Sequence, residues 1–242
     1  VVRAFGTAPG REDRVPCMGK MIELDDHARA YLALPDSGSG PGVLVIQEWW
    51  GLNPQMKGTA DHLAENGFVA LAPDLYRGEL AGHDEMDKAG HLMSTLPAER
   101  AAADMSLAVD ALREHASTTG SMIGAIGFCM GGMLSLLVAA LRGDAIGAAV
   151  PFYGYPTGDE PDWTGLQATV RGHFCEHDDF FPADGARDLE ARLQGMGKDV
   201  QISFHPAGHA FMNETDPFGI HDAELAAQLW PEVIDFLLGE LS

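Results

Sequence analysis

Residues 122–141, MIGAIGFCMGGMLSLLVAAL, combine a short apolar run, a glycine-bounded turn and a longer apolar run. The first run, residues 122–128, has the length and composition of a buried strand. The second run, Met130–Leu141, is long enough for a helix and so apolar that the helix should be buried. Residues two positions either side of the turn's centre must be small, and Gly127 and Gly131 are. We therefore predict a strand–turn–helix unit with Cys129 at its turn.

The rest of the chain continues this alternation of strands and helices. Strands are predicted at residues 43–47, 68–72, 148–153, 168–174 and 200–204, and helices at 54–66, 97–116, 182–194 and 221–238. Pro231 should break or kink the last helix, because proline lacks the backbone N–H that a helix uses. Such alternation is typical of an α/β fold, in which helices cover both faces of a mostly parallel sheet.

The N-terminal part departs from the alternation. Two strands, residues 21–25 and 28–34, follow each other without an intervening helix and predict an antiparallel hairpin at the sheet edge. Residues 1–20 are polar and interrupted by Gly and Pro, so we expect a loosely ordered extension. Residues 21–242 are predicted to form one domain.

Composition limits the possible partners and the setting of the protein. The 242 residues carry a net charge of −21, which argues against nucleic acid or an anionic membrane as a partner, because both require a basic surface. No apolar run approaches the ~18 residues that span a bilayer, and the first twenty residues lack the apolar segment of a secretory signal. The three cysteines do not form a disulfide framework, so we expect reduced thiols and a cytoplasmic protein.

Cys129 has the surroundings of a nucleophile. Gly127-Phe128-Cys129-Met130-Gly131 fits the pattern G-x-nucleophile-x-G, with cysteine in place of serine. A sulfur at a helix N-terminus meets free N–H groups and the positive end of the helix dipole, which favour the reactive thiolate. The N–H of Met130 would face the oxygen that becomes negative during attack on a carbonyl. Alternatively, Cys129 is a small buried residue in a glycine-rich turn.

An acid and a base should follow the nucleophile in this chain order. The strand at residues 168–174 is followed by Glu176, Asp178 and Asp179, and each of these can supply the acid. The strand at residues 200–204 is followed by His205 and His209. We favour His209, which lies in a glycine-containing loop from which its side chain can reach back over the strand ends.

A metal site is an alternative interpretation of the same region. The histidine and cysteine residues concerned are His173, Cys175, His177, His205 and His209. Their spacings do not match those of structural zinc sites. We therefore expect no metal and no cofactor.

Several separated motifs resemble the dienelactone hydrolase family, and together they cover the chain from about residue 21 to its end. They are Gln47-Glu48-Trp49-Trp50-Gly51-Leu52-Asn53, Ala72-Pro73-Asp74-Leu75-Tyr76, Gly127-Phe128-Cys129-Met130-Gly131-Gly132, Asp178 to Pro182, and Gly208-His209-Ala210-Phe211.

The resemblance implies an α/β-hydrolase fold and hydrolysis of a small ester or lactone by a cysteine nucleophile. It selects Asp178 as the acid that accompanies Cys129 and His209. It places Glu48 beside the resting thiol, from which Glu48 shifts when substrate binds. It also makes the N–H of Trp49 the second oxyanion donor.

Two departures from the family concern the arginines that hold a substrate carboxylate. Arg77 lies one position early, and Asn213 stands where the second arginine falls; an amide cannot make the same charged, bidentate contact. We include both as candidate substrate-binding residues, together with Trp50, Tyr76 and Phe211. The aromatic residues Tyr153 and Phe180 can also line the pocket or belong to the core.

Two other functions stay open at this point. The chain could be a non-enzymatic α/β scaffold in which Cys129 is a redox sensor. A serine-type esterase or peptidase is less favoured, because no serine occupies a nucleophile turn. The sequence leaves open whether the protein is a monomer or a homodimer.

Overall fold

The computed structural model describes residues 19–158 and 160–242. Its strands are β1 (Lys20–Glu23), β2 (Arg29–Ala33), β3 (Gly40–Ile46), β4 (Val69–Pro73), β5 (Thr118–Phe128), β6 (Ile146–Phe152), β7 (Thr169–His177) and β8 (Val200–Gly208). They form one sheet in the order β1-β2-β4-β3-β5-β6-β7-β8. β1 and β2 pair antiparallel, as do β2 and β4, and the remaining pairs are parallel. The predicted edge hairpin and mostly parallel sheet are confirmed.

Helices cover both faces of this sheet. They are α1 (Pro54–Glu65), α2 (Met86–Ser94), α3 (Ala98–Glu114), α4 (Met130–Leu141), α5 (Ala183–Gly195) and α6 (Ala223–Leu241). The apolar side chains of α1 and α6 pack into one buried cluster, and those of α2, α3, α4 and α5 pack into another. The sheet separates the two clusters, which is the layered α/β arrangement that the sequence predicts. Within the described residues, every helix is too short or too polar to span a bilayer.

The turn between β5 and α4 is tightly packed. The β5 strand ends at Phe128 and α4 begins at Met130, as the sequence predicts. A Cβ atom on Gly127 would overlap the carbonyl oxygen of Gly131, and one on Gly131 would overlap that of Ile46. Cys129 has a φ of 54°, in the region that favours glycine. Backbone packing on β3 therefore holds the cysteine in a strained conformation.

Three elements differ from the predicted ones, and two of these differences have physical reasons. α6 continues through Pro231, so of the predicted break or kink the break is wrong. Pro231 and Ala227, whose carbonyl loses its partner, are both exposed, so water can satisfy that carbonyl. α2 was not predicted, since only Ala89 and Leu92 are buried in it and two residues define no periodicity. A short 3₁₀ turn at Trp163–Gly165 also went unpredicted.

The predicted N-terminal extension falls almost wholly on residues 1–18, which lie outside the described residues, as does Cys17. The described chain includes the last two residues of that extension, and β1 begins at Lys20.

Candidate active site

Four loops at the carboxyl edge of the sheet carry the predicted reactive groups. Glu48 and Trp49 follow β3, Cys129 follows β5, Asp178 follows β7, and His209 follows β8. β3 pairs with β5, and β7 pairs with β8, so the sheet brings these loops to one edge. Ligands of open α/β sheets bind at this edge, beyond the carboxyl ends of the strands.

The Cys129 thiol is buried against two backbone donors. Its residue is 8% exposed, and its own backbone N–H donates to the carbonyl of Phe152 at 3.1 Å. Burial raises the pKa of the Cys129 thiol well above its usual range, and the charge of Glu48 raises it further. The backbone N–H groups of Met130 and Trp49 act to lower this pKa and oppose the rise. Burial therefore outweighs the helix N-terminus, and the resting group is the thiol.

Asp178 and His209 form a hydrogen-bonded pair. Asp178 Oδ2 lies 2.8 Å from His209 Nδ1, while Asp178 Oδ1 accepts the N–H groups of Phe180 and Phe181 at 2.8 and 2.9 Å. Burial acts to raise the pKa of Asp178, but the histidine and the two N–H groups outweigh it and lower that pKa. When His209 Nδ1 carries a proton for this bond, its Nε2 is free to accept another.

The competing residues lie elsewhere. Glu176 and Asp179 are exposed, whereas Asp178 is buried. His205 Nε2 lies 3.2 Å from His173 Nδ1, so His205 pairs with another imidazole. Of the three acids and two histidines considered, only Asp178 and His209 pair with each other.

Glu48 is 1% exposed and has two hydrogen-bond donors. Tyr153 Oη donates to Oε1 at 3.4 Å, and Asn213 Nδ2 donates to Oε2 at 2.6 Å. Burial raises the pKa of Glu48 to about 7, although the His209 charge and the two donors oppose the rise.

The predicted substrate-binding residue Asn213 faces Glu48 with its amide nitrogen. Its amide oxygen accepts the backbone N–H of Thr215 at 3.1 Å and the hydroxyl of the same residue. Both ends of the amide are therefore engaged within the protein, and the residue is 1% exposed.

The other predicted substrate-binding residues lie around the site in different ways. Arg77 pairs with Asp104 at 3.6 Å. Tyr76 Oη donates to the sulfur of Met130 at 3.4 Å. Trp50 and Phe211 are 1% and 0% exposed and belong to the two buried hydrophobic clusters.

A closed circuit of four aromatic rings adjoins His209. We call Trp49, Trp50, Phe180 and Phe218 the aromatic quartet. Its ring centroids are 5.0 Å apart for Trp49 and Trp50, 6.2 Å for Trp50 and Phe218, 6.0 Å for Phe218 and Phe180, and 6.1 Å for Phe180 and Trp49. The His209 ring lies 4.8 Å from Phe180 and 6.2 Å from Phe218.

Sequence reasoning missed Phe218 and the role of Tyr153 as a partner of Glu48. Phe218 lies in the irregular stretch between β8 and α6, where no periodicity marks it. Tyr153 follows β6 directly, and its position at the carboxyl edge of the sheet was the available signal.

A cavity of about 440 Å³ lies beside Glu48, between α1, α6 and the loop after β8. Its lining includes Glu48, Phe128, Tyr153, Asn213 and Trp230. This cavity provides open space next to the Glu48 carboxyl group, on the side that faces α1 and α6.

The residues of the alternative metal interpretation do not form one cluster. His173 faces His205, Cys175 Sγ donates to the carbonyl of Gly208 at 3.1 Å, and His177 is exposed. Across residues 19–158 and 160–242, no three His, Cys, Asp or Glu side chains are arranged to hold a metal ion.

Comparison with known proteins identifies the family of this chain. The dienelactone hydrolase family profile matches residues 28–241. "Protein usf" of Aquifex pyrophilus is 35% identical over 229 residues, covering 90% of this chain and 97% of that protein. A protein of Aquifex aeolicus named "Putative carboxymethylenebutenolidase" is 33% identical over 229 residues, with the same coverage of 90% and 97%.

A solved structure extends the agreement to the fold. The crystal structure named "Putative Dienelactone Hydrolase" from Klebsiella pneumoniae subsp. pneumoniae superimposes with a TM-score of 0.78 at 25% identity. It covers 90% of this chain and 97% of that one. The α/β-hydrolase fold, the site at the sheet edge and the match over residues 28–241 lead to one conclusion: the chain belongs to the dienelactone hydrolase family.

Proposed function

We propose that this protein hydrolyses an ester or lactone with Cys129 as the nucleophile, His209 as the base and Asp178 as its partner. The observation that supports the proposal is that Cys129, the backbone N–H groups of Met130 and Trp49, which lower the pKa of its thiol, and the Asp178–His209 pair all lie at one edge of the sheet. Two backbone donors converging on a nucleophile form an oxyanion site, in which one donor contributes about 3 kcal/mol to the transition state.

The first half of the reaction forms a thioester. His209 Nε2 takes the proton from Cys129, and the sulfur attacks the carbonyl carbon. The carbonyl oxygen becomes negative and accepts the N–H groups of Met130 and Trp49. When the tetrahedral intermediate collapses, the carbon–oxygen bond to the leaving group breaks, and His209 returns its proton to that oxygen.

The second half releases the acid. His209 takes a proton from a water molecule, whose oxygen attacks the thioester carbonyl. The carbon–sulfur bond then breaks, and the thiolate recovers the proton from His209. Asp178 keeps the Nδ1 proton of His209 in place and stabilises the imidazolium in both halves.

Glu48 controls when the thiolate forms. Its charge and the burial of the site hold the pKa of Cys129 high, so the free enzyme keeps an unreactive thiol. Substrate binding moves the Glu48 carboxylate away from the sulfur, and the adjoining cavity of about 440 Å³ gives it space to move. The thiolate then forms only in the presence of substrate.

The redox-sensor alternative requires an exposed thiol with a low pKa. Cys129 is 8% exposed, and its pKa is raised well above the usual range. These properties favour the hydrolase.

The test compares Cys129→Ala and Cys129→Ser with the control Cys175→Ala, which alters another buried thiol of the same region. Hydrolysis of phenyl acetate should be lost in Cys129→Ala and greatly reduced in Cys129→Ser, and retained in the control. Mass spectrometry of the acid-quenched wild type during turnover should find an acetyl group on Cys129. Undiminished hydrolysis by Cys129→Ala would overturn the proposal.

A further inference from the structure

Two buried carboxyl groups act on the Cys129 sulfur. Glu48 is 1% exposed and Asp178 is 9% exposed, and the charges of both raise the pKa of the thiol. The nearest arginine that the family motif suggests, Arg77, is directed to Asp104, at 3.6 Å. A substrate carboxylate at this site would therefore meet two acidic groups, and Arg77 is already paired with Asp104.

Asn213 stands where the second arginine of the family falls, so this position supplies no cation. Its amide is uncharged, its nitrogen is bound to Glu48 and its oxygen to Thr215. It is 1% exposed, so neither end is available to a substrate group unless these bonds break. The net charge of −21 adds a long-range repulsion of anions.

The surface beside the reactive groups is aromatic. The backbone N–H of Trp49 is a proposed oxyanion donor. The ring of Trp49 is therefore on the same residue that would hold the substrate carbonyl. Phe180 is 47% exposed, Trp49 and Phe218 are half-buried, and Phe180 and Phe218 both lie against the His209 ring. Aromatic faces and edges of this kind bind other rings by offset-stacked or edge-to-face contacts.

We infer that the substrate is an uncharged ester or lactone that carries an aromatic ring, and that the three accessible members of the aromatic quartet, Trp49, Phe180 and Phe218, bind this ring. This inference rests on the proposed function, and it specifies which substrates the same site accepts. Phe180 and Phe218 lie on separate loops, after β7 and after β8, so together with Trp49 they surround the ring from different sides. Phe180 is the specificity-determining residue, because it is the most exposed member of the quartet and contacts His209.

The first experiment uses two esters of similar shape, methyl 4-acetoxybenzoate and 4-acetoxybenzoate, which differ by one negative charge. Each kcat/KM is divided by the rate constant for hydroxide-catalysed hydrolysis of the same ester, which corrects for the leaving group. We expect the wild type to favour the uncharged ester by about tenfold or more at low salt. The preference should shrink at high salt, where charges are screened.

The second experiment tests the aromatic contact. In Phe180→Leu, kcat/KM for phenyl acetate should fall about three- to tenfold relative to kcat/KM for ethyl acetate, because stacking is lost. Phe236→Leu is the matched control, since Phe236 lies in α6 and contacts Arg171 instead of the site. Its ratio of phenyl to ethyl ester hydrolysis should equal that of the wild type.

The outcomes separate this inference from the proposed function. Hydrolysis of the charged ester at an equal or greater corrected rate would overturn the inference and leave the cysteine hydrolase intact. An unchanged phenyl-to-ethyl ratio in Phe180→Leu would overturn the role of the quartet. Failure of the folded wild type to hydrolyse any of the four esters faster than Cys129→Ala would overturn the proposed function itself.

Discussion

The amide nitrogen of Asn213 lies 2.6 Å from the Glu48 carboxylate, joining the loop after β8 to the loop after β3. The bond connects residues 165 positions apart in the sequence, and both are 1% exposed. An amide stabilises a carboxylate through a hydrogen bond but adds no positive charge. Glu48 is thus a buried acid with uncharged donors, which is why burial dominates its pKa.

This environment makes the stability of the protein depend on the charge of Glu48. Its pKa rises from 4.5 to about 7 on folding, so folding favours the protonated form. The stability present below pH 4.5 is therefore lost as the pH rises towards 7. We expect Glu48→Gln to unfold with a free energy about 3 kcal/mol larger than the wild type at about pH 8, and similar to it at about pH 4. Urea unfolding at the two pH values measures this.

Glu65→Gln is the control, because Glu65 is exposed at the end of α1. It should change the free energy of unfolding by less than about 0.5 kcal/mol at both pH values. If the free energies of unfolding of Glu48→Gln and the wild type differ by the same amount at both pH values, the raised pKa of Glu48 is contradicted.

Replacement of Asp178 by asparagine should damage catalysis more than folding. The amide group cannot hold the Nδ1 proton of His209 as the carboxylate does, so we expect kcat to fall about 10²- to 10⁴-fold. Asp179→Asn is the control, since the neighbouring Asp179 is exposed, and its kcat should match the wild type. Steady-state kinetics with phenyl acetate distinguishes the two; equal losses in both variants would exclude the proposed pairing.

The backbone contacts at the turn before α4 predict a stability difference between two glycines. A Cβ on Gly131 would overlap backbone oxygens at the end of β3, so Gly131→Ala should lower the free energy of unfolding by about 2 kcal/mol or more. Gly239→Ala, in α6, has open space around the new methyl group and should raise it by about 0.5–1 kcal/mol. Urea unfolding of both variants checks this, and equal effects would refute it.

The paired imidazoles of His173 and His205 should reduce stability in acid. Burial, together with the neighbouring His205, lowers the pKa of His173 from 6.5 to about 4, so folding favours neutral His173. The resulting stability is present above pH 6.5 and is lost as the pH falls towards 4. His173→Gln should remove about 3 kcal/mol of this pH dependence. His27→Gln, on an exposed turn, should show the same pH dependence of the free energy of unfolding as the wild type. Urea unfolding across this pH range measures both variants, and an unchanged pH dependence in His173→Gln would contradict the prediction.

The sheet and the turn at Cys129 could be predicted from the sequence because they depend on local patterns. Buried parallel strands appear as continuous apolar runs, and the glycines around Cys129 mark a turn that admits no side chains. The choice among Glu176, Asp178 and Asp179 could not be made from spacing alone, because it depends on which side chain points inward.

The aromatic quartet and the partners of Glu48 could not be predicted, because they depend on contacts between distant loops. Phe218 joins Trp50 and Phe180 only after the loops following β7 and β8 fold over the sheet. At Cys129, burial raises the pKa of the thiol more than the helix N-terminus lowers it. This balance could not be predicted either, because the residues that exclude water come from several elements.

The pairing of β3 with β5 has a consequence for how this protein tolerates change. Trp49 and Met130 follow two adjacent parallel strands, which are joined by a ladder of hydrogen bonds from Val43 and Gly124 to Ile46 and Gly127. This pairing lies inside the sheet and supports both donors from below, and Trp49 itself lies in the turn after β3. Substitutions at the exposed rim of the site, such as at Phe180, can therefore alter that rim while the strand pairing beneath the two donors is preserved.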